Sequence, residues 1–166
     1  IWIPMRGFLE KDIFFLAPDP DTTITNPGNT VSLITSGGYD PASDSIYLAS
    51  SRGFSLTGQV KPDLTAPAVE VYGPIPTTSP ISNLPALNTF TRKSGTSFAS
   101  AVTAGALALL INWNIEHSSY HSSFLTNRSA KNYLIRGAKR RSVYSYPNQE
   151  WGYGELDLYG VFASLL

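Results

Sequence analysis

Short apolar runs separated by Gly, Pro and Ser fill the first half of the chain, and one long apolar run dominates the second. Val31-Ser32-Leu33-Ile34-Thr35, closed by Gly37-Gly38, predicts a buried strand over 31–35. Two further strands are expected at 46–49 and 69–72, with a Ser/Gly-rich loop between them over 50–58. Asn26-Pro27-Gly28 predicts a turn, since Pro presets φ and Gly supplies positive φ. From 73 to 85 the prolines at 74, 76, 80 and 85 exclude a regular helix or a central strand. A long surface loop is expected there. A helix is predicted over 97–112, where Phe98, Val102, Gly105 and Leu109 recur at helical spacing and alanines cover the other faces. A helix apolar nearly all round is expected to be buried. A second helix is predicted over 129–136, ending at Gly137, and a third from Leu156 onward. Strands followed by helices in this order predict an α/β layer structure.

Composition narrows the partners. The chain has 166 residues, enough for one core, with 42% hydrophobic and 12% aromatic residues, which excludes a disordered chain. Twelve Lys plus Arg balance twelve Asp plus Glu, so no net field draws nucleic acid or an anionic membrane. The longest unbroken apolar run, 104–111, is too short for a bilayer. The absence of cysteine excludes disulfides, thiolate nucleophiles and cysteine-ligated metals. Charged residues are only 14%, against roughly 25% in an average soluble domain. The chain also opens Ile1-Trp2-Ile3 without an initiator Met. Both features predict a part of something larger, with a surface that self-associates or meets the remainder.

Chemistry concentrates at Lys93-Ser94-Gly95-Thr96-Ser97-Phe98. A polar, glycine-containing turn delivers serines to the first turn of an apolar helix. Free amides and the helix dipole there favour negative charge, including a developing oxyanion. That suits a serine nucleophile for acyl transfer. The same residues read equally well as a simple N-cap by Thr96 or Ser97. Lys93-Ser94-Gly95 imitates a box of penicillin-binding enzymes, but no Ser-x-x-Lys exists in the chain. Gly95-Thr96-Ser97-Phe98-Ala99 falls one residue short of the Gly-x-Ser-x-Gly elbow of α/β-hydrolases. Those enzymes need an acid and then a histidine after the serine; here His117 and His121 precede Asp157, so the order fails.

The run from Gly95-Thr96-Ser97 through Ala104-Gly105-Ala106 to Leu110 closely resembles the serine motif of subtilisin-like serine peptidases. Upstream, Ser50-Ser51-Arg52-Gly53, Lys61-Pro62-Asp63-Leu64-Thr65-Ala66-Pro67 and the strand region 31–40 resemble further family blocks in the correct order. The resemblance covers about residues 22–166. The stretch around Ala130-Lys131-Asn132-Tyr133 and the tail Pro147-Asn148-Gln149-Glu150-Trp151-Gly152 are similar to clostridial subtilases, a group that includes spore germination proteases. The resemblance implies the C-terminal part of an α/β, parallel-sheet protease, incomplete without its N-terminal half. Residues 1–20 would be the exit from an inserted segment or linker, and 21–166 the catalytic portion. It further implies Ser97 as nucleophile and Ser94, Gly95 and Thr96 as substrate-binding, Ser94 and Gly95 flanking the leaving-group side and Thr96 beside Ser97 in the same turn. Peptide or protein substrates, no cofactor and a secreted or spore-associated protein follow from the same likeness. Ala68 stands where the family has glycine, and Ala101-Val102 where many subtilisins have Pro-His.

In subtilases the acid, the histidine and an oxyanion asparagine precede the serine, and residues 1–96 contain no histidine. The base is therefore expected in other sequence. A non-catalytic relative acting as a binding module is the competing reading. His117 and His121, four apart among serines, are expected on a solvated loop rather than on a metal. Arg128, Lys131, Arg136, Lys139, Arg140 and Arg141 are expected to complement a helix C-terminus or pair with acids elsewhere. Asp63 is expected to be structural.

Overall fold

The computed structural model describes residues 15–74, 90–117 and 125–165. The expected strand fragments at the N-terminus and most of the proline-rich loop lie outside the described residues. Residues 15–20 are exposed coil.

Among the described residues five short strands precede three helices. β1 (Ser36–Asp40) lies between β2 (Ser45–Ile46) and β3 (Leu64–Pro67), antiparallel to the former and parallel to the latter. β4 (Val71–Pro74) and β5 (Phe90–Lys93) form a separate antiparallel ribbon. The helices are α1 (Thr96–His117), α2 (Asn127–Gly137) and α3 (Leu158–Ala163). The parallel pairing that the α/β expectation requires is present in β1 and β3, while β2 departs from it.

The strand expected over 31–35 instead occupies Ser36–Asp40 and runs through the glycines expected to end it. The cause is close packing rather than chain-breaking. A Cβ on Gly38 would stand 2.5 Å from the Ala68 Cβ and 3.3 Å from the Thr96 methyl. Only glycine lets β1 approach that closely to the start of α1. The strand expected over 46–49 shortens to Ser45–Ile46, and that over 69–72 shifts to Val71–Pro74. Two strands, β3 and β5, have no counterpart in the sequence expectations.

α1 packs on β1 and β3 through Ala99, Thr103, Ala106 and Leu110, a stripe at helical spacing. Within it the Ser36 hydroxyl donates to Thr103 Oγ1 at 2.7 Å, and Thr103 donates onward to the Ala99 carbonyl at 2.9 Å. Leu64, Leu110, Leu134, Ala138 and Val161 form the main core, joining sheet and all three helices. Each fully buried leucine or valine there contributes about 1.5–3 kcal/mol.

The opposite side of α1 contradicts the expected burial. Val102, Leu109, Ile111 and Ile115 are exposed, and so are Ala101, Ala104, Gly105 and Ala108. No described residue covers this face. At 22 residues α1 is also long and apolar enough to cross a membrane by length and composition, which the unbroken run 104–111 does not reveal. One stripe of α1, Ala99, Thr103, Ala106 and Leu110, is buried against the sheet.

Loops close the core electrostatically. Lys61 Nζ, in a side chain 1% exposed, donates to the Leu33 carbonyl (2.8 Å), Thr35 Oγ1 (3.1 Å) and Asp63 Oδ2 (2.7 Å). Asp63 also accepts from Lys131 Nζ at 2.9 Å and from the Thr35 amide at 2.7 Å. Burial lowers the Lys61 pKa, and the Asp63 carboxylate opposes that shift. A Cβ on Gly53 would overlap the Lys61 carbonyl oxygen, so only glycine lets the Ser50–Gly53 block approach the Lys61 backbone.

The basic tail finds its acids within the chain. Arg141 Nε donates to Glu155 Oε1 and Nη2 to Asp44 Oδ1 at 2.7 Å, and its guanidinium lies over the buried Trp151 ring. Lys139 stands 3.8 Å from Glu155, and Arg140 donates to the Ile135 carbonyl at the end of α2.

Candidate functional site

The turn before α1 is built by β3, β4 and β5 together. The Gly95 N–H donates to the Ala68 carbonyl at 2.7 Å, joining the turn to the end of β3. The Glu70 N–H donates to Ser94 Oγ at 3.0 Å, joining it to the start of β4. Gly95 adopts φ 155°, a conformation L side chains rarely take, and its carbonyl accepts from the Phe98 N–H at 3.0 Å. Helix formation follows at once, because Ala101, Ala104, Ala106, Leu107, Ala108 and Leu109 are strong helix formers.

Ser97 is exposed in the first turn of α1, with Ala99 buried two residues on. Its N–H belongs to the group that has no intrahelical acceptor. Among the described residues neither this N–H nor the Ser97 hydroxyl has a hydrogen-bond partner. Thr96 is half-buried and borders a recess of about 220 Å³ that is also lined by Asn26, Pro27, Ser36, Gly37 and Ser50. The four expected site residues Ser94, Gly95, Thr96 and Ser97 thus share one turn. The Ser94 oxygen is held by the Glu70 amide. The recess beside Thr96 is not foreseen from sequence, although Asn26-Pro27-Gly28 marks one wall.

Among the described residues no histidine is in reach of Ser97. The chain's two histidines are His117 and His121. His117 ends α1, twenty residues and therefore about 30 Å from Ser97. It stacks on Trp113 and its Nδ1 lies 2.9 Å from the Trp113 carbonyl. His121 lies outside the described residues. Among the described residues no cluster of His, Asp and Glu could hold a metal. Asp63 cannot orient a histidine at Ser97, because its carboxylate is enclosed by two lysines and an amide. A cavity of about 1090 Å³ lies elsewhere, between α2 and residues 59–63.

A parallel strand pair, a long helix packed on it and a serine in that helix's first turn define an α/β layer architecture. The family model of the subtilases (peptidase S8) matches residues 17–154, and the chain belongs to this family. Serine protease AprX of Bacillus subtilis (strain 168) is 35% identical over 109 residues, covering 57% of this chain and 24% of that protein. Subtilisin-like protease SBT6.1 of Arabidopsis thaliana is 34% identical over 143 residues, 82% of this chain and 12% of that one. The solved CspB protease of Clostridium perfringens superposes with a TM-score of 0.75 at 31% identity, over 90% of this chain and 30% of its own. Fervidolysin from Fervidobacterium pennivorans shares the fold, with a TM-score of 0.61 at 21% identity, over 83% of this chain and 20% of its own. The chain therefore spans about a quarter or less of the curated relatives it matches. The likeness to clostridial subtilases drawn from the tail agrees with the CspB superposition.

Proposed function

We propose that this chain is the nucleophile-bearing part of a subtilisin-like serine endopeptidase, with Ser97 as the attacking residue. The observation that carries it is the exposed Ser97 in the first turn of α1, within a chain that belongs to the subtilases. In this reading residues 21–166 complete a catalytic domain whose Asp, His and second oxyanion donor come from other sequence. Residues 1–20 lead out of an inserted segment. The exposed apolar face of α1 is where the N-terminal part of the same protease packs.

The chemistry follows from the turn. Ser97 Oγ attacks a substrate carbonyl carbon while the supplied histidine takes its proton. The negative charge on the carbonyl oxygen falls beside the Ser97 N–H and the positive end of α1. Expulsion of the amine leaves an acyl-enzyme, which water hydrolyses. Ser94 and Gly95 flank the leaving-group side, and Thr96 borders the recess next to it.

The test compares the complete protein with residues 1–166 alone on casein and chromogenic peptides. Turnover is expected from the complete protein, disappearing in Ser97→Ala, and none from 1–166, since losing a triad member costs about 10⁴–10⁶ in rate. Turnover by 1–166 that depends on Ser97 would place the base within this chain. A complete protein without turnover would favour the non-catalytic relative.

A further inference from the structure

The β4–β5 ribbon carries side chains that neither the core nor the proposed chemistry uses. Pairing is Tyr72↔Arg92 and Pro74↔Phe90, so Tyr72, Pro74, Phe90 and Arg92 share one face. All four are exposed, Tyr72 at 67% and Phe90 at 50%. The Tyr72 and Phe90 rings stack diagonally, with centroids 5.3 Å apart and planes 18° apart. Two large rings in water beside a cation are unusual where nothing is bound. Arg92 makes no ion pair among the described residues, and the adjacent Lys93 is also exposed. Glu70, at the base of the ribbon, makes none with either. Lys93 alternates to the other side of the ribbon, so this face is apolar with Arg92 as its cation.

Its position gives it an occupant. β5 runs directly into the Ser94–Ser97 turn, and two hydrogen bonds, from Gly95 to Ala68 and from Glu70 to Ser94, fix the ribbon's base to that turn. Phe90 is four residues before Ser94, about 14 Å along a strand. An extended peptide advances by a similar distance per residue, so a chain leaving the cut past Ser94 reaches Arg92 and then the ring pair within about six residues.

We propose that the Tyr72–Phe90–Arg92 face is a docking surface for the leaving-group side of the polypeptide substrate. It selects segments that carry a carboxylate and an aromatic or large apolar residue within about six positions after the cleaved bond. This rests on the reading of Ser97 as the nucleophile. The rings receive the apolar side chain, and Arg92 receives the carboxylate across the ring edges. The surface binds and selects; it takes no part in bond making.

The experiment uses the complete protein carrying Ser97→Ala and two fluorescein-labelled peptides that differ only after the scissile bond, one with Glu and Phe, the other with Lys and Gly. Anisotropy should show the Glu/Phe peptide binding roughly tenfold tighter, a few-fold each from the exposed charge pair and the ring contact. Arg92→Glu should reverse the charge preference, and Tyr72→Ala with Phe90→Ala should remove the aromatic one. Equal binding of both peptides, or a preference unchanged by Arg92→Glu, overturns the proposal and means that another part of the protein covers the face. In parallel, a fluorophosphonate, which has no residues beyond the leaving group, should label Ser97 equally in the Arg92→Glu and unaltered proteins. Labelling of Ser97 without any peptide preference defeats the docking surface alone. A preference without labelling defeats the nucleophile assignment and leaves the surface standing.

Discussion

Replacing Asp63 with asparagine should destabilise the protein far more than replacing Lys61 with methionine. Asp63 is one carboxylate between two ammonium groups, at 2.7 Å from Lys61 and 2.9 Å from Lys131, and it also accepts the Thr35 amide. The Asp63→Asn change would leave both cations facing a neutral amide. Removing one partner of a buried pair costs about 3–5 kcal/mol. Lys131 is 15% exposed and can turn toward water, whereas Lys61, at 1%, cannot, so the lower end of that range is expected, about 3 kcal/mol. Lys61→Met leaves Asp63 still paired with Lys131 and removes a charge that burial already disfavours. The loss there is the donors to the Leu33 carbonyl and Thr35 hydroxyl, about 1–2 kcal/mol. Urea unfolding of both variants of the complete protein, followed by circular dichroism, gives the comparison. For a domain stable by about 5–15 kcal/mol the Asp63 effect is large. Equal losses, or an Asp63→Asn loss below about 1 kcal/mol, would refute the description of Asp63 as the shared counter-charge.

Two further outcomes probe the surface and the pH response. Gly105 sits on the exposed face of α1 with nothing within 4 Å of an added Cβ, so on an open helix Gly105→Ala should stabilise by about 1 kcal/mol. If the N-terminal part of the protease packs there, calorimetry of the complete protein should show no such gain; a full gain would mean the face is open. Burial, and then Glu155, raise the Tyr39 pKa above its ordinary value near 10. The folded state therefore holds that proton more tightly than the unfolded chain, and this contribution is complete below about pH 10 and lost as pH rises through the raised value. Tyr39→Phe should flatten the fall in stability between about pH 10 and the raised value, and an unchanged slope would contradict the shift.

The helices are legible in the sequence because their signals are local. Gly95-Thr96-Ser97 opens α1, Thr126 accepts from the Ser129 amide at the start of α2, and Asp157 accepts from the Gly160 amide at the start of α3. The strands are less so. β3 is four residues ending in proline, and its pairing with β1 depends on residues 28 apart in sequence. Gly37 and Gly38 read locally as a stop, while their actual role is set by Ala68, Thr96 and Pro62 packed against them. The grouping of Ser94 to Ser97 is visible because it is contiguous. The anchoring of Ser94 by Glu70, the recess beside Thr96 and the exposed ring pair on the ribbon all arise from long-range pairing that no local pattern encodes. The outer face of α1 defeats the sequence reading for a different reason: an apolar surface specifies that it wants cover, not which sequence supplies it.

The assignment of Ser97 as nucleophile is tested most directly by treating the complete protein with a fluorophosphonate, digesting it and locating the adduct by mass spectrometry. The adduct is expected on Ser97, with Ser94 and Ser100 unmodified, and labelling should vanish in Ser97→Ala while the protein still folds. An adduct on another serine, or peptide hydrolysis that survives in Ser97→Ala, would contradict it.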